Sequence, residues 1–138
     1  MPIFRSNSIV AAVLLAGTLG MGSALAQDLR LTGAEETPPN TSTAVGTGSI
    51  RIDADGNVSG TISTPTIQGR AAHIHTGAPG TAGPPIITLS GGDPGTWTVP
   101  AGAKLTPEQM AAWKAGNLYV NVHTAEHPGG EVRAQLKP

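Results

Sequence analysis

The C-terminal part of the chain alternates apolar and polar residues with a period of two, and this alternation restricts the fold more than any other feature. The apolar positions are Leu118, Val120 and Val122 in one run and Val132, Ala134 and Leu136 in the next. Successive side chains of a β-strand point to opposite faces, so each run predicts a strand with one apolar and one polar face. The two runs match as an antiparallel pair if Val122 lies opposite Val132. The same register brings His123 opposite Glu131.

The face that carries Tyr119 is therefore predicted to differ from the face that carries Val120. We expect Val120 to lie in the core, where a charged replacement would unfold the domain. Tyr119, one position away on the polar face, is expected to tolerate a charge much better.

The rest of the chain has similar short segments between turns, because it contains nineteen glycines and twelve prolines in 138 residues. Strands are expected around residues 29–32 and in the segments "IITL" and "TWTV". Two tryptophans, one tyrosine and one phenylalanine are the only aromatic residues, so the core should be small and aliphatic. This pattern predicts a compact all-β domain with many turns.

The segment "VGTGSIRIDADGNVSGTIST" predicts a hairpin whose register follows from its apolar residues. A three-residue loop, residues 54–56, pairs Ile52 with Val58 and puts Gly56 where a positive φ is favoured. A two-residue turn would instead mix apolar and polar side chains on each face. The residues Asp53, Asp55 and Asn57 resemble a calcium loop, but the required glycine falls too early and no distal glutamate follows.

One short helix is expected near residues 107–115, in the segment "LTPEQMAAWKAG". Thr106 is suited to the N-cap, Pro107 to the first helical position, and Gln109 to the third position of a capping box. Met110 and Trp113 share one face of this helix, and we expect that face to pack onto the sheet.

Residues 1–26 have the three-part layout of a secretory signal peptide. Arg5 lies near the start, the apolar run "IVAAVLLAGTLGMG" follows, and an A-x-A cleavage site ends at Ala26. We expect a mature chain of residues 27–138 that starts at Gln27, forms one domain, and is periplasmic or secreted without membrane association. An uncleaved membrane anchor is the competing interpretation.

Composition excludes several classes of function. The chain has no cysteine, which rules out a thiolate nucleophile, an iron–sulfur cluster and a blue-copper thiolate. Its formal net charge is -1 and 12% of its residues are charged, so no basic surface for nucleic acid is expected. No G-x-S-x-G motif and no carboxylate pair suited to acid–base chemistry is present, and we therefore assign no catalytic residue.

All four histidines lie in two short segments, "AAHIHTG" and "VHTAEH". His73 and His75 are spaced to share one face of a strand, where two imidazoles can reach one metal ion. If that strand neighbours the strand of His123, the three form a nitrogen site suited to copper or zinc, with His127 as a fourth ligand. Glu131 is a candidate for fixing the tautomer of His123.

Two other interpretations of the polar residues stay open. Histidines on a polar strand face can hydrogen-bond to carbonyl groups and stabilise loops without any metal. Arg133 is predicted on the face of His123, where it is either a positive charge for an anionic substrate or an ordinary solvent-exposed strand arginine.

Three segments of the chain resemble the conserved blocks of the CHRD domain, which was first described in chordin and occurs singly in exported bacterial proteins. The segments are "LTGAEETPP", "AAHIHTGAPGTAGPP" and "AGNLYVNVHTAEHPGGEVRAQL", and the resemblance extends over residues 29–137. It implies an antiparallel Greek-key β-sandwich, immunoglobulin-like or similar to copper–zinc superoxide dismutase. The H-x-H strand also resembles the copper-binding strand of that dismutase, although the zinc loop and the disulfide cysteines have no counterpart here.

Two functional hypotheses follow. The first is an exported CHRD-domain protein that binds a transition metal through its histidines, with copper as the first candidate and zinc as the second, for metal handling or redox chemistry. The second is a non-enzymatic module that binds a protein partner, with structural histidines. A homo-oligomer is compatible with both, and superoxide dismutation is the one catalytic activity worth testing.

Overall fold

The computed structural model describes residues 26–92 and 95–138, so the predicted signal peptide lies outside the described residues except for Ala26. Within these residues, nine strands and one α-helix follow one another along the chain. The strands are β1 Gln27–Thr32, β2 Val45–Ile52, β3 Val58–Ser63, β4 Gly69–Thr76, β5 Pro85–Thr88, β6 Ser90–Gly91, β7 Thr96–Thr98, β8 Leu118–Thr124 and β9 Val132–Leu136. A short 3-10 helix spans Gly33–Glu35, and the α-helix α1 spans Pro107–Lys114.

The strands form one antiparallel sheet in the order β5-β4-β8-β9-β1-β2-β3-β7-β6. Its two edge strands, β5 and β6, are separated in the sequence by Leu89 alone, whose N–H donates to the carbonyl of Ala72 in β4. A sheet whose edges are joined in this way has to curl on itself, which gives a nearly closed, barrel-like sandwich. The predicted all-β antiparallel sandwich with one short helix is confirmed.

Both predicted hairpin registers are confirmed. In the β2–β3 hairpin Ile52 lies opposite Val58, and Gly56 at the turn has φ 86°. The carboxylate of Asp53 accepts hydrogen bonds from the backbone N–H groups of Asp55 and Asn57, so it stabilises the turn instead of facing a cation. In the β8–β9 hairpin Val122 lies opposite Val132, as the alternation predicts.

The helix α1 begins at the predicted N-cap. The side chain of Thr106 accepts from the N–H of Gln109, and the side chain of Gln109 accepts from the N–H of Thr106, which completes the capping box. Met110 and Trp113 pack against the hydrophobic core, as expected. Between residues 26 and 92 and between 95 and 138, we find no helix with the length and apolar character needed to cross a membrane.

The core lies inside the curled sheet and is aliphatic except for the buried Trp97. Its fully buried members include Leu31, Ile62, Ile74, Leu118, Val120, Val122 and Val132. The expected exposure of the opposite face of β8 is wrong, because Tyr119 is 3% exposed and Asn121 is 1% exposed. Loops fold over this face: the N–H of Gly83 donates to the hydroxyl of Tyr119, and the amide of Asn121 donates to the carbonyl of Gly129.

This second buried face predicts that Tyr119→Ala is strongly destabilising. Loss of a buried aromatic side chain leaves a cavity and should lower the free energy of unfolding by roughly 3 kcal/mol. Thr61→Ala, at an exposed position of β3, should change it by less than about 0.5 kcal/mol. Urea denaturation of the two variants measures the difference, and equal stabilities would contradict the burial of Tyr119.

Candidate metal centre

The strands that carry the histidines are direct neighbours. In the antiparallel pair of β4 and β8, His73 lies opposite Asn121 and Ala71 lies opposite His123. The odd-numbered side chains of both strands therefore share one face of the sheet. One ring nitrogen from each of His73, His75 and His123 lies within 4.8 Å of the others, so the condition that the sequence left open, that the two histidine segments meet, is fulfilled. We call these three residues the histidine trio.

The ring of His73 packs edge to face against each of the other two rings of the histidine trio. The ring centroids of His73 and His123 are 4.9 Å apart, and those of His73 and His75 are 5.5 Å apart. Each ring has one buried nitrogen without a hydrogen-bond partner among the described residues, namely Nδ1 of His73 and Nε2 of both His75 and His123. Buried polar atoms are nearly always paired, so three unpaired nitrogens at one place fit a metal site.

Backbone carbonyls fix the tautomers of two of these rings. Nδ1 of His75 is 2.9 Å from the carbonyl oxygen of Gly83, and Nδ1 of His123 is 2.9 Å from that of Pro128. A carbonyl oxygen can only accept, so each Nδ1 has to carry the hydrogen. The lone pair of each neutral ring is then on Nε2, which is the buried nitrogen without a hydrogen-bond partner. Such carbonyl contacts orient metal-ligating histidines in proteins.

The surroundings of His73 and His75 favour neutral rings. Burial lowers the pKa of His73, and the nearby rings of His123 and His75 lower it further. Burial also lowers the pKa of His75. Hydrogen bonding to the carbonyl of Gly83 and to the amide of Asn121 raises this pKa in part. The charges of His123 and Arg133 lower it further. Because a metal binds the unprotonated nitrogen, these shifts keep both lone pairs available at neutral pH.

Arg133 holds the loop that orients His75. Its side chain is 1% exposed, so the interpretation as a solvent-exposed strand arginine is wrong. The guanidinium donates to four neutral oxygens: the carbonyls of Ala78 and Thr81, the hydroxyl of Thr37 and the side-chain oxygen of Gln135. Two of these oxygens belong to the loop of residues 77–84, which also supplies the carbonyl of Gly83.

Tyr119 connects the arginine with the trio. The guanidinium carbon of Arg133 lies 3.5 Å from the centroid of the Tyr119 ring. Tyr119 also stacks on the ring of His75, with 4.7 Å between the ring centroids and 3° between the ring planes. Stacked and cation–π contacts of this kind hold rings in one orientation, so the position of the His75 ring is fixed by packing as well as by hydrogen bonding.

Two of the predicted site residues lie elsewhere. The partner of the His123 ring is the carbonyl of Pro128, whereas the carboxylate of Glu131 accepts a hydrogen bond from the hydroxyl of Ser42. His127 is not part of the trio. Its backbone forms the turn after β8, because its carbonyl accepts from the N–H groups of Thr124 and Gly130.

Sequence reasoning missed Asn121 and Glu36. Asn121 lies between the histidines on the face that the period-two alternation assigns to His123, so the same alternation could have indicated it. Its amide nitrogen donates to the carboxylate of Glu36, which is buried and comes from the loop after the 3-10 helix. No periodicity in the segment "GAEETPPN" indicates that Glu36 reaches this face.

The profile of the CHRD domain matches residues 28–136 of the chain. This range covers most of the sequence and contains every residue of the site, so the chain belongs to the CHRD domain family. No curated protein matches the chain significantly, and neither does any solved structure.

The lowered pKa values of His73 and His75 predict how the stability of the metal-free protein depends on pH. In the unfolded chain both rings titrate near ~6.5, but in the folded protein they resist protonation. The unfolded state therefore binds more protons below about pH 6.5, and the free energy of unfolding should fall as the pH falls through this range. Urea denaturation between about pH 7.5 and 5.5 should show a shallower decline for His73→Gln.

Glu36 makes the stability of the folded protein depend on pH with the opposite sign to the two histidines. Burial raises the pKa of its carboxyl. The hydrogen bonds from Asn121 and from the Thr37 backbone, and the charges of Arg133 and His127, lower this pKa but do not outweigh burial. Its contribution to stability is lost as the pH rises above the ordinary glutamate value. Glu36→Gln should remove that contribution and leave the decline caused by the histidines in place.

Parallel stability curves for the wild type and His73→Gln would contradict the assignment of the decline at low pH to the histidine trio.

Proposed function

We propose that this CHRD domain protein binds one transition-metal ion through His73, His75 and His123, and that copper is its preferred metal. The proposal is carried by one observation: ring nitrogens of His73, His75 and His123 lie within 4.8 Å of one another, and each ring has a buried nitrogen without a hydrogen-bond partner among the described residues. An interaction module would not require these nitrogens to face one another, whereas a metal ion would pair with all of them.

The chemistry of the donors supports copper and zinc. Imidazole suits both ions, and no thiolate is available to select another class of metal. Copper(II) binds nitrogen donors more tightly than the other divalent ions of its row, so equal supply favours copper. A metal held here would supply either a storage site or a redox centre. The surrounding residues orient the rings of His75 and His123 and lower the pKa of His73 and His75.

Metal should stabilise the folded protein at neutral pH. An ion that binds only the folded state at a hundredfold excess over its Kd adds roughly 2.7 kcal/mol, which corresponds to a rise in Tm of about 10 °C for a domain of this size. Copper(II) or zinc(II) should therefore raise the Tm at about pH 7.5, and the rise should largely vanish at about pH 5, where free histidine is protonated.

His127→Ala is the matched control for this experiment, because it removes a histidine that lies outside the trio. His123→Ala should abolish most of the metal-induced rise in Tm, while His127→Ala should keep it. Metal analysis of untagged protein should give one ion per chain for the wild type and His127→Ala, and none for His73→Ala. A wild type that does not respond to metal, together with a His123→Ala variant of much lower Tm, would instead favour structural histidines and an interaction module.

A catalytic role is a separate matter, for which superoxide dismutation is the activity to test. It requires that the copper-loaded protein accelerates the decay of superoxide beyond the same amount of free copper.

We also propose that the chain is exported and cleaved after Ala26. In support, β1 begins at Gln27, which pairs with Ile50 and accepts a hydrogen bond from the N–H of Lys137 through its side chain. Cleavage at this point leaves the first strand complete. The intact mass of secreted protein should correspond to residues 27–138, and a secreted chain that still contains Met1 would contradict cleavage.

A further inference from the structure

Asn121 has an unexplained buried oxygen beside the histidine trio. Among the described residues, four buried side-chain nitrogen and oxygen atoms lack a hydrogen-bond partner. Three are the nitrogens of the trio, and the fourth is Oδ1 of Asn121, whose side chain is 1% exposed. Asn121 lies opposite His73 in the strand pair, two positions before His123 in β8, and its amide borders the ring of His75. All four unpaired atoms therefore belong to one patch of the sheet.

The orientation of this amide is fixed from the other side. Nδ2 of Asn121 is 3.3 Å from Oε1 of Glu36 and 3.4 Å from the carbonyl oxygen of Gly129. Both partners are acceptors, so the donor end of the amide has to face them and Oδ1 has to face away. Gly130 leaves the space for this contact, since a Cβ there would overlap Oε1 of Glu36.

Three of the four unpaired atoms carry a lone pair and no hydrogen. The carbonyl partners of His75 and His123 place the lone pair of each neutral ring on Nε2. An amide oxygen has lone pairs and no hydrogen. Such groups repel one another when they are buried together, unless a cation lies among them. A three-nitrogen site alone would leave the oxygen of Asn121 without a partner.

We propose that Oδ1 of Asn121 is the fourth donor of the metal site, in place of His127. This inference rests on the proposed function and specifies its donor set as three imidazole nitrogens and one neutral oxygen. The oxygen affects the choice of metal. Zinc(II) in proteins takes four ligands and accepts oxygen, whereas copper(I) is a soft ion for which a hard amide oxygen adds little.

The test uses two substitutions that both remove the Nδ2 donor of Asn121. Asn121→Asp keeps an oxygen toward the trio, and Asn121→Leu keeps none. Zinc(II) affinity, measured by competition with a chromophoric chelator, should fall at least about tenfold in Asn121→Leu and stay at or above the wild-type value in Asn121→Asp. Copper(I) affinity, measured in the same way, should change less than about threefold in both variants. Circular dichroism and the metal-free Tm establish that each variant is folded.

Two further variants keep the test decisive. His127→Ala removes a histidine outside the trio and leaves Asn121 unchanged, so its zinc affinity should equal that of the wild type. Asn121→Ala also keeps no side-chain oxygen and replaces Asn121→Leu if the larger leucine does not fit.

The outcomes separate this inference from the function on which it rests. An equal loss of zinc affinity in Asn121→Asp and Asn121→Leu would show that Asn121 acts through Glu36 and would overturn the inference. Unchanged zinc affinity in Asn121→Leu would also overturn it, while metal binding through the trio would stand. A wild type that binds neither zinc nor copper would overturn both.

Discussion

The burial of Arg133 is the interaction on which the arrangement of the site depends. Removing a guanidinium from water costs several kcal/mol unless its N–H groups find acceptors, and here two of the acceptors are carbonyls of the 77–84 loop. The loop therefore has to stay against the sheet, where its Gly83 carbonyl meets the ring of His75. Tyr119 fills the space between the arginine and that ring. One buried cation thus determines the position of a loop, an aromatic ring and an imidazole.

Much of the fold could be predicted because the apolar residues repeat with the period of a strand. Only one register of the β2–β3 hairpin keeps Ile52 on the side of Val58, and the capping residues around Thr106 mark the start of α1 in the sequence itself. The order of the strands in the sheet could not be predicted in this way. The contacts of β4 with β8 join residues far apart in the chain, and no local pattern in either strand specifies that pairing.

The face occupied by each histidine of the trio was predictable for the same reason as the strands, since the H-x-H spacing and the position of His123 in an alternating run place all three rings on polar faces. Their convergence depends on the pairing of β4 with β8 and could not be predicted in this way. The remaining parts of the site come from loops. Polar residues such as Tyr119 and Arg133 were expected at the surface, because alternation distinguishes two faces but does not reveal that a loop covers the second one. The carbonyls of Gly83 and Pro128 are backbone groups, so no side-chain pattern could indicate them.

The edges of the sheet restrict how another protein can bind this domain. A partner that adds a strand needs a long row of free backbone N–H and C=O groups. Here the edge strands have four and two residues, and the longer one begins at Pro85, which has no N–H. Strand addition therefore has little backbone to use on either edge. Within the described residues, the short edges therefore favour recognition through side chains and loops over strand addition.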